Sequence, residues 1–124
     1  METDYKMICG WWKGHDWQPV PACSLSRNGL IVSENDMDLS VGFLYGTDSD
    51  ISSIEWVLSN PSAPIFRRSI GVKLLIKRLT ELSKDIGYGV CMTWLVSRSL
   101  KKVYAENGYV KGDENLTHMV RRFV

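Results

Sequence analysis

The clearest helical period in the chain belongs to residues 64–86, PIFRRSIGVKLLIKRLTELSKDI. Apolar side chains recur there at the three- and four-residue spacings that place them on one face of a helix, with charged side chains opposite. Gly87 follows as a C-terminal cap, since glycine readily takes the left-handed conformation that ends helices. The predicted buried face consists of Ile70, Leu74, Leu75, Leu79, Leu82 and Ile86.

Three strands are predicted upstream of this helix. Gly29–Val32 and Leu39–Tyr45 are rich in β-branched and aromatic residues and flank a polar turn at Glu34–Asp36, which favours a hairpin. After a cluster of turn residues, Ile51–Ser59 is predicted to be a third, mostly buried strand that Asn60-Pro61 ends. The three strands would form an antiparallel meander.

A strand, a helix and a strand pair are predicted downstream. Gly89–Val96 is predicted as a strand and Ser97–Asn107 as a helix for which Ser97 is the N-cap. Tyr109–Val124 is predicted as a final hairpin that turns near Gly112-Asp113.

The N-terminal segment differs in composition from the rest of the chain. A short helix is predicted over about Tyr5–Lys13, followed by an irregular segment that prolines interrupt. Three tryptophans, which we expect to pack on the core as a lid, lie at Trp11, Trp12 and Trp17. The predicted shared face of the helix contains Tyr5, Ile8, Cys9 and Trp12.

Length and composition favour one domain. The chain has 124 residues, of which residues 1–26 would be the N-terminal helix and irregular lead and residues 27–124 the core. Hydrophobic residues at 44% and charged residues at 23% are typical of a globular protein. A formal net charge of +1 gives no bulk electrostatic reason for binding nucleic acid or a membrane, so neither partner is expected.

The cysteines do not form a metal-binding pattern. Cys9, Cys23 and Cys91 are widely spaced and lack the Cys and His pairing that zinc sites use, so no metal is expected. Reduced thiols, together with an N-terminus without a long apolar run, predict a cytoplasmic protein.

A more specific pattern is VYAENGYV, Val103–Val110. With the order of elements, it resembles the helix-end signature of the GNAT superfamily of N-acetyltransferases: a tyrosine, three variable residues, glycine and an aromatic residue. Ile54–Pro61 is similar to the central strand of this family, which commonly ends in Asp-Pro or Asn-Pro. The resemblance spans Gly29 to about Val120. It implies an α/β (α+β) fold with a mixed, mainly antiparallel sheet flanked by helices and a truncated tryptophan-rich N-terminal part.

The resemblance implies acetyl-CoA as cosubstrate, held at the phosphate loop before the long helix. The family pattern is Arg or Gln, two variable residues, Gly, one variable residue, then Gly or Ala. Here the stretch is Phe66–Gly71, in which Gly71 is in place, Ser69 replaces the first glycine and Arg67 is displaced by one position. A helix start exposes unpaired N–H groups that favour anions. The implied cofactor-binding residues of this loop are Arg67, Arg68, Ser69, Gly71 and Val72.

Further cofactor contacts follow from the same resemblance. Backbone N–H groups around Val57, Leu58 and Ser59 would polarise the thioester carbonyl, where the central strand splays from its neighbour. Ser97 stands seven residues before Tyr104, where many members carry an asparagine that faces the pantetheine.

Two residues are candidates for catalysis. Tyr104 matches the family tyrosine, and its phenol is protonated at neutral pH and suited to giving a proton to the departing thiolate; a buried core tyrosine is the alternative. Glu55 lies mid-strand, where an inward-facing carboxylate is costly without a task, so it is the candidate general base; on the solvent face it would be an ordinary surface acid. His15 and His118 are alternative bases.

The leading hypothesis is therefore an acetyl-CoA-dependent N-acetyltransferase that acts on a small-molecule or protein amine, as a monomer or homodimer. The tryptophan-rich start also resembles short acetyltransferase-like proteins of phages and prophages. An alternative is a non-catalytic protein of the GNAT fold that engages a host protein through its N-terminal tryptophans. A third possibility, a nucleic-acid-binding domain that uses Arg121 and Arg122, is disfavoured by the low net charge.

Overall fold

The computed structural model describes residues 2–123, in which helices cover both faces of a four-stranded sheet. The strands lie side by side in the order β1-β2-β3-β4. The elements in chain order are α1 (Glu2–Gly14), a 3-10 turn (Ala22–Ser24), β1 (Asn28–Glu34), β2 (Met37–Gly46), β3 (Ile51–Ser59), α2 (Ile65–Ile86), β4 (Val90–Met92) and α3 (Arg98–Glu106).

The predicted meander is confirmed. β1 pairs with β2 and β2 with β3, in both cases antiparallel. Asn35 and Asp36 both adopt positive φ, 48° and 63°, which is the conformation that a tight hairpin turn of matching twist requires. β3 has the predicted bounds, and its other neighbour, β4, runs parallel to it.

The first face of the sheet is covered by α1. Ile8, Trp11 and Trp12 are buried there against the β2 residues Val41 and Phe43. The expected lid is therefore present for two of the tryptophans. Trp17 is exposed and stacks on the ring of His15, with 4.8 Å between the ring centroids.

The opposite face packs against α2 through part of the apolar stripe predicted from the sequence. Leu75 and Leu79 are buried as predicted, and Leu82 is partly buried against the same core. Ile70, Leu74 and Ile86 are exposed instead, and the buried face is completed by Gly71, Ile76 and Ser83. Two small residues cause this shift of the buried face because they form the close contacts with the sheet. The Gly71 carbonyl accepts a 2.9 Å hydrogen bond from Ser40 Oγ, and the Ser83 and Ser52 hydroxyls are 2.7 Å apart.

The prediction for the C-terminal part of the sheet is partly wrong. β4 contains three residues instead of the predicted eight, and residues 109–123 form no strand, so the predicted final hairpin is absent from the described chain. Val110 and Met119 in this tail are 91% and 86% exposed. Since the tail buries so little apolar surface, little free energy is available to hold it against a sheet edge.

The short helix α3 follows its sequence signals. Ser97 is the N-cap, and its side chain accepts a 3.4 Å hydrogen bond from the Leu100 N–H. Gly108, at φ 89°, follows the helix end. Among residues 2–123, no helix combines the length and apolar character needed to cross a membrane.

Gly71 provides a test of the packing between α2 and the sheet. A Cβ at this position would lie 2.7 Å from the Leu39 Cβ, so Gly71→Ala must push the helix away from β2. We expect the variant to lose about 1–3 kcal/mol of unfolding free energy in urea denaturation.

Gly10→Ala is the matched control, because Gly10 lies in α1 with no atom within 4 Å of the added Cβ. It should gain up to about 1 kcal/mol through the better helix propensity of alanine. Equal stability of the Gly71→Ala variant and the wild type would contradict the close contact.

Candidate active site

An opening lies where the parallel strands β3 and β4 part. Their ladder consists of three residue pairs and ends at Ser53 and Met92. The Thr93 hydroxyl then donates a 2.9 Å hydrogen bond to the Ile54 carbonyl, which is the last hydrogen bond between the two segments in the described part of the chain. Beyond it, the β3 backbone has no ladder partner on this side within residues 2–123, so its polar groups are available to a ligand.

The opening leads into a cavity of about 240 Å³. β3 contributes residues 54–57 to the lining, the segment after β4 contributes residues 93–95, and α3 contributes Leu100 and Tyr104. Thus two predicted catalytic residues, Glu55 and Tyr104, and the predicted cofactor contact Val57 lie around one cavity.

A bulge in β3 shapes one wall of this cavity. Val41 and Phe43, two residues apart on β2, pair with Leu58 and Glu55, three residues apart on β3, so β3 contains one extra residue. Trp56 lies within the bulge at φ 56°, a left-handed conformation that bulky side chains rarely adopt. The bulge changes the direction of the side chains that follow Glu55.

Tyr104 is buried in the cavity wall. Its side chain is 2% exposed, and its hydroxyl lies near Thr93 but forms no well-directed hydrogen bond with any described residue. The Thr93 hydroxyl donates to the Ile54 carbonyl instead. Burial raises the pKa of this phenol above its ordinary value, so it stays protonated at neutral pH. An unsatisfied buried hydroxyl costs about 1–3 kcal/mol, and a ligand with an acceptor atom would satisfy it.

A second tyrosine fixes the Tyr104 ring. The Tyr109 ring packs edge-on against it at a centroid distance of 4.9 Å. The Tyr109 hydroxyl lies 2.7 Å from Thr80 Oγ1 on α2 and donates to Cys91 Sγ on β4 at 3.2 Å. The Tyr109 side chain therefore connects the end of α3 to both α2 and β4.

Glu55 is half-buried at the same cavity. Burial raises the pKa of its carboxyl above the ordinary value, and the nearby His118 opposes this shift in part. His118 lies in the exposed tail rather than in the predicted strand. The Nε2 atom of His15, the other candidate base, donates to the Ser59 carbonyl at 2.9 Å, away from the residues that line the cavity.

The loop before α2 lies earlier in the chain than the predicted phosphate loop. α2 begins at Ile65, so Arg67, Arg68, Ser69, Gly71 and Val72 all lie inside the helix, and the loop itself is residues 60–64. The loop shape is set by Asn60, whose side chain donates to the Asp38 carbonyl at 2.8 Å and accepts from the Ser62 N–H at 2.9 Å. Pro64 precedes the helix start, where N–H groups lack partners within the helix.

The two arginines of the first helical turns differ in environment. Arg67 forms an ion pair with Glu34 at 2.9 Å and also donates to the Glu34 backbone carbonyl at 3.2 Å. The Arg68 Nε atom is buried and has no hydrogen-bond partner among the described residues. Arg68 is therefore the arginine whose hydrogen-bonding capacity is left open.

The remaining predicted residues do not line the cavity. Ser69 is exposed and Val72 is partly buried on α2. Leu58 packs on the α1 side of the sheet, and the Ser59 carbonyl accepts from His15. The Ser97 side chain caps α3.

Six of the cavity residues were not predicted from the sequence. The missed residues are Ile54, Trp56, Thr93, Trp94, Leu95 and Leu100. Trp56 and Trp94 are 42% and 57% exposed, which is unusual for tryptophan. Their exposure becomes apparent only in the structure and marks them as candidates for ligand binding.

A larger groove of about 510 Å³ runs between β1 and α2. Its lining is mainly aliphatic, and its charged groups include Arg78, which already pairs with Glu81 at 2.9 Å. None of the predicted site residues lies there. No group of three or more potential metal-binding side chains occurs in the described part of the chain.

Comparison with known proteins identifies the fold. No protein-family model matches the chain, and no curated protein matches it. Among solved structures, a protein from Thermus thermophilus aligns with a TM-score of 0.73 at 11% identity, over 98% of this chain and 94% of that chain.

Two further structures carry an enzyme name. A protein from meticillin-resistant Staphylococcus aureus, described as of unknown function and a probable acetyltransferase, has a TM-score of 0.69 at 11% identity, over 96% of this chain and 92% of that chain. A Trypanosoma brucei acetyltransferase has a TM-score of 0.63 at 16% identity, over 97% and 92%. The chain thus shares its fold with these structures, which confirms the GNAT-like mixed sheet flanked by helices that the sequence predicted.

The buried environment of Glu55 predicts a pH-dependent effect on stability. The pKa of this carboxyl is higher in the folded chain than in the unfolded chain. Its ionisation therefore destabilises the fold as pH rises from the unfolded-state pKa through the folded-state pKa. We expect Glu55→Gln to be more stable than the wild type near neutral pH and to lose this advantage below about pH 4, where both states bind the proton.

Thermal unfolding across this pH range measures the effect. Asp113→Asn, which changes an exposed carboxylate of the tail outside any helix, is the surface control, and the Glu55→Gln difference should exceed it. A difference between Glu55→Gln and wild type that is independent of pH would contradict the buried carboxylate.

Proposed function

We propose that the chain is an acetyl-CoA-dependent N-acetyltransferase that acts on an amine at the cavity between β3 and β4. The observation that carries this proposal is the Tyr104 hydroxyl, buried and without a partner in the described residues, at the wall of the cavity where the strands part. A hydrogen-bond donor in this position fits a group that becomes negatively charged during the reaction. The acetyltransferase names of structures with this fold support the same reaction class.

The cofactor-binding residues would come from β3 and from the start of α2. The β3 backbone beyond Ile54 offers unpaired polar groups to the acetyl and pantetheine end. The N–H groups at the start of α2 and the unpartnered Arg68 guanidinium offer donors to phosphates. The β3 edge offers both N–H donors and carbonyl acceptors, which suits the neutral thioester and the amides of pantetheine, whereas the α2 donors suit the anionic phosphates.

Glu55 and Tyr104 would handle the protons. Glu55 takes a proton from the acceptor ammonium, which leaves a neutral amine able to attack the thioester carbonyl. The C–N bond forms, the C–S bond breaks and the nitrogen loses a second proton. Tyr104 supplies a proton or a hydrogen bond to the departing sulfur. Overall, ammonium and acetyl thioester become amide, thiol and one released proton.

The environments of these two groups suit the roles. The raised pKa of Glu55 brings a carboxylate closer to neutral pH, where a base that accepts a proton from an ammonium works better. The raised pKa of Tyr104 keeps the phenol protonated, so it remains a donor throughout the physiological range.

Release of the coenzyme A thiol tests this function directly. Purified protein is incubated with acetyl-CoA and a panel of primary amines, and free thiol is measured against a reaction without amine. We expect amine-dependent release in the wild type and a fall in kcat of about 10²-fold or more in Tyr104→Phe. The fold should tolerate this change, because the lost hydroxyl has no partner in the described residues.

Tyr88→Phe is a control for the loss of a phenol hydroxyl away from the cavity lining and should retain activity. Full activity in Tyr104→Phe would exclude the donor role. No amine-dependent thiol release from any acceptor would count against the enzyme and favour a non-catalytic binding protein.

Cofactor binding has a separate test in Arg68. Acetyl-CoA at 100 times its Kd should stabilise the wild type by about 2.7 kcal/mol, seen as a higher Tm. We expect Arg68→Ala to weaken binding about tenfold, because it removes a charged donor with no partner among the described groups. Arg67→Ala, which breaks the ion pair with Glu34, serves as the matched comparison.

If Arg67→Ala lowers acetyl-CoA affinity and Arg68→Ala does not, the assignment of the two arginines is reversed. If acetyl-CoA does not change the wild-type Tm, the proposed cosubstrate is wrong.

A further inference from the structure

The mouth of the cavity has two tryptophan walls, which the proposed chemistry does not use. Trp56 comes from the β3 bulge and Trp94 from the segment after β4, so the two indoles line the opening from two different segments of the chain. Their exposed fractions of 42% and 57% place both at the boundary between cavity and solvent. Large aromatic side chains left half-exposed around one opening are typical of a ligand-binding surface.

The backbone at Trp56 supports a functional role for this side chain. A non-glycine residue held at φ 56° is strained and persists only when its surroundings fix it. Here the surroundings are the flanking pairs of the bulge, Phe43 with Glu55 and Val41 with Leu58. Trp56 is thus part of the extra-residue segment of β3 and at the same time lines the cavity.

Glu55 is the charged side chain of the lining, and no Lys, Arg or His side chain is among the lining residues of the described chain. The basic group near Glu55 is His118 of the exposed tail, which does not line the cavity. An acceptor with a carboxylate or phosphate next to its amine would be repelled by Glu55. An ammonium group would be attracted by Glu55 and by the negative faces of the indoles.

The size of the cavity limits what enters it. Its volume of about 240 Å³ lies below the ~300–1,000 Å³ typical of sites that enclose a whole drug-sized ligand. The remaining lining includes the aliphatic residues Ile54, Leu95 and Leu100. A slender alkyl chain that ends in an ammonium group fits this combination better than a broad or branched acceptor.

We propose that Trp56 and Trp94 bind the acceptor as an alkylammonium group between their indole faces, with Glu55 as its counter-charge. This inference rests on the proposed acetyltransferase function and specifies its substrate class. A free alkylamine and a lysine side chain present the same chemistry, a primary ammonium at the end of a methylene chain.

A non-reactive cation tests the site without requiring turnover. Butyltrimethylammonium carries the charge on an alkyl chain but has no N–H to acetylate, and its neutral isostere has carbon in place of nitrogen. We expect the cation to bind at least about tenfold more tightly than the isostere, measured by tryptophan fluorescence and by NMR shifts. Equal affinity for the two molecules would overturn the proposal.

Substitutions of Trp56 and Trp94 distinguish binding by their aromatic faces from binding by side-chain size alone. Trp56→Leu and Trp94→Leu should each weaken cation binding about fivefold, while Trp56→Phe and Trp94→Phe, which keep an aromatic face, should retain most of it. Trp17→Leu removes an exposed tryptophan that does not line the cavity and should leave affinity unchanged. Leucine variants that bind the cation as well as the wild type does would overturn the assignment, provided that circular dichroism shows them folded.

Turnover then identifies the source of the alkylammonium. Thiol release is compared for 1,4-diaminobutane, a lysine-containing peptide with a blocked N-terminus, aniline and 4-aminobenzoate. Activity with either alkylammonium source, above that with both arylamines, supports the inference. Preference for an arylamine overturns it.

The two proposals can fail separately. If acetyl-CoA raises the Tm and thiol is released, but the cation and its isostere bind equally, the acetyltransferase stands and the acceptor class is wrong. If the cation binds selectively while acetyl-CoA has no effect, the cation site stands and acetyl transfer is wrong.

Discussion

Three backbone pairs join β4 to the sheet, Ile51–Ser53 with Val90–Met92, and the candidate site exists because the ladder stops there. The hydrogen bond between Ser52 and Ser83 holds this paired end against α2, so the strands are fixed below the opening and free above it. Had the ladder continued, the backbone groups that face the cavity would be bonded to one another. The cavity, the exposed β3 edge and the position of α3 all depend on this short pairing.

The parts of the fold that depend on neighbouring residues could be predicted from the sequence. The Asn35-Asp36 turn, the Ser97 cap and the left-handed Gly87 at φ 113° each follow from local chemistry. The buried face of α2 could be predicted only in part, at Leu75 and Leu79, because a helical apolar pattern passes over Gly71 and Ser83. Gly71 and Ser83 are buried because they contact Ser40 and Ser52 on the sheet. The spacing of apolar residues along the helix carries no information about these contacts.

The residues of the candidate site likewise divide into those that local sequence patterns predict and those that depend on the pairing of strands. Tyr104 was identified from a helix-end signature and Glu55 from its position in a strand, and both line the cavity. Trp56 was missed because strand alternation assumes a regular ladder, whereas the bulge depends on how β2 pairs with β3. The tail was assigned to a hairpin from its composition, although residues 109–123 form no strand and leave their largest apolar side chains in solvent.

The bulge at Trp56 also bears on how such a site can diverge. The extra residue of a bulge takes no regular place in the ladder, so its side chain can change while the pairs on either side remain. Trp94, after the end of β4, is equally outside the β3–β4 pairing. In the proposed acetyltransferase, the residues that would set acceptor preference are therefore separate from those that hold the sheet together. One or two codon changes at these positions would alter the proposed amine-binding surface without a change of fold.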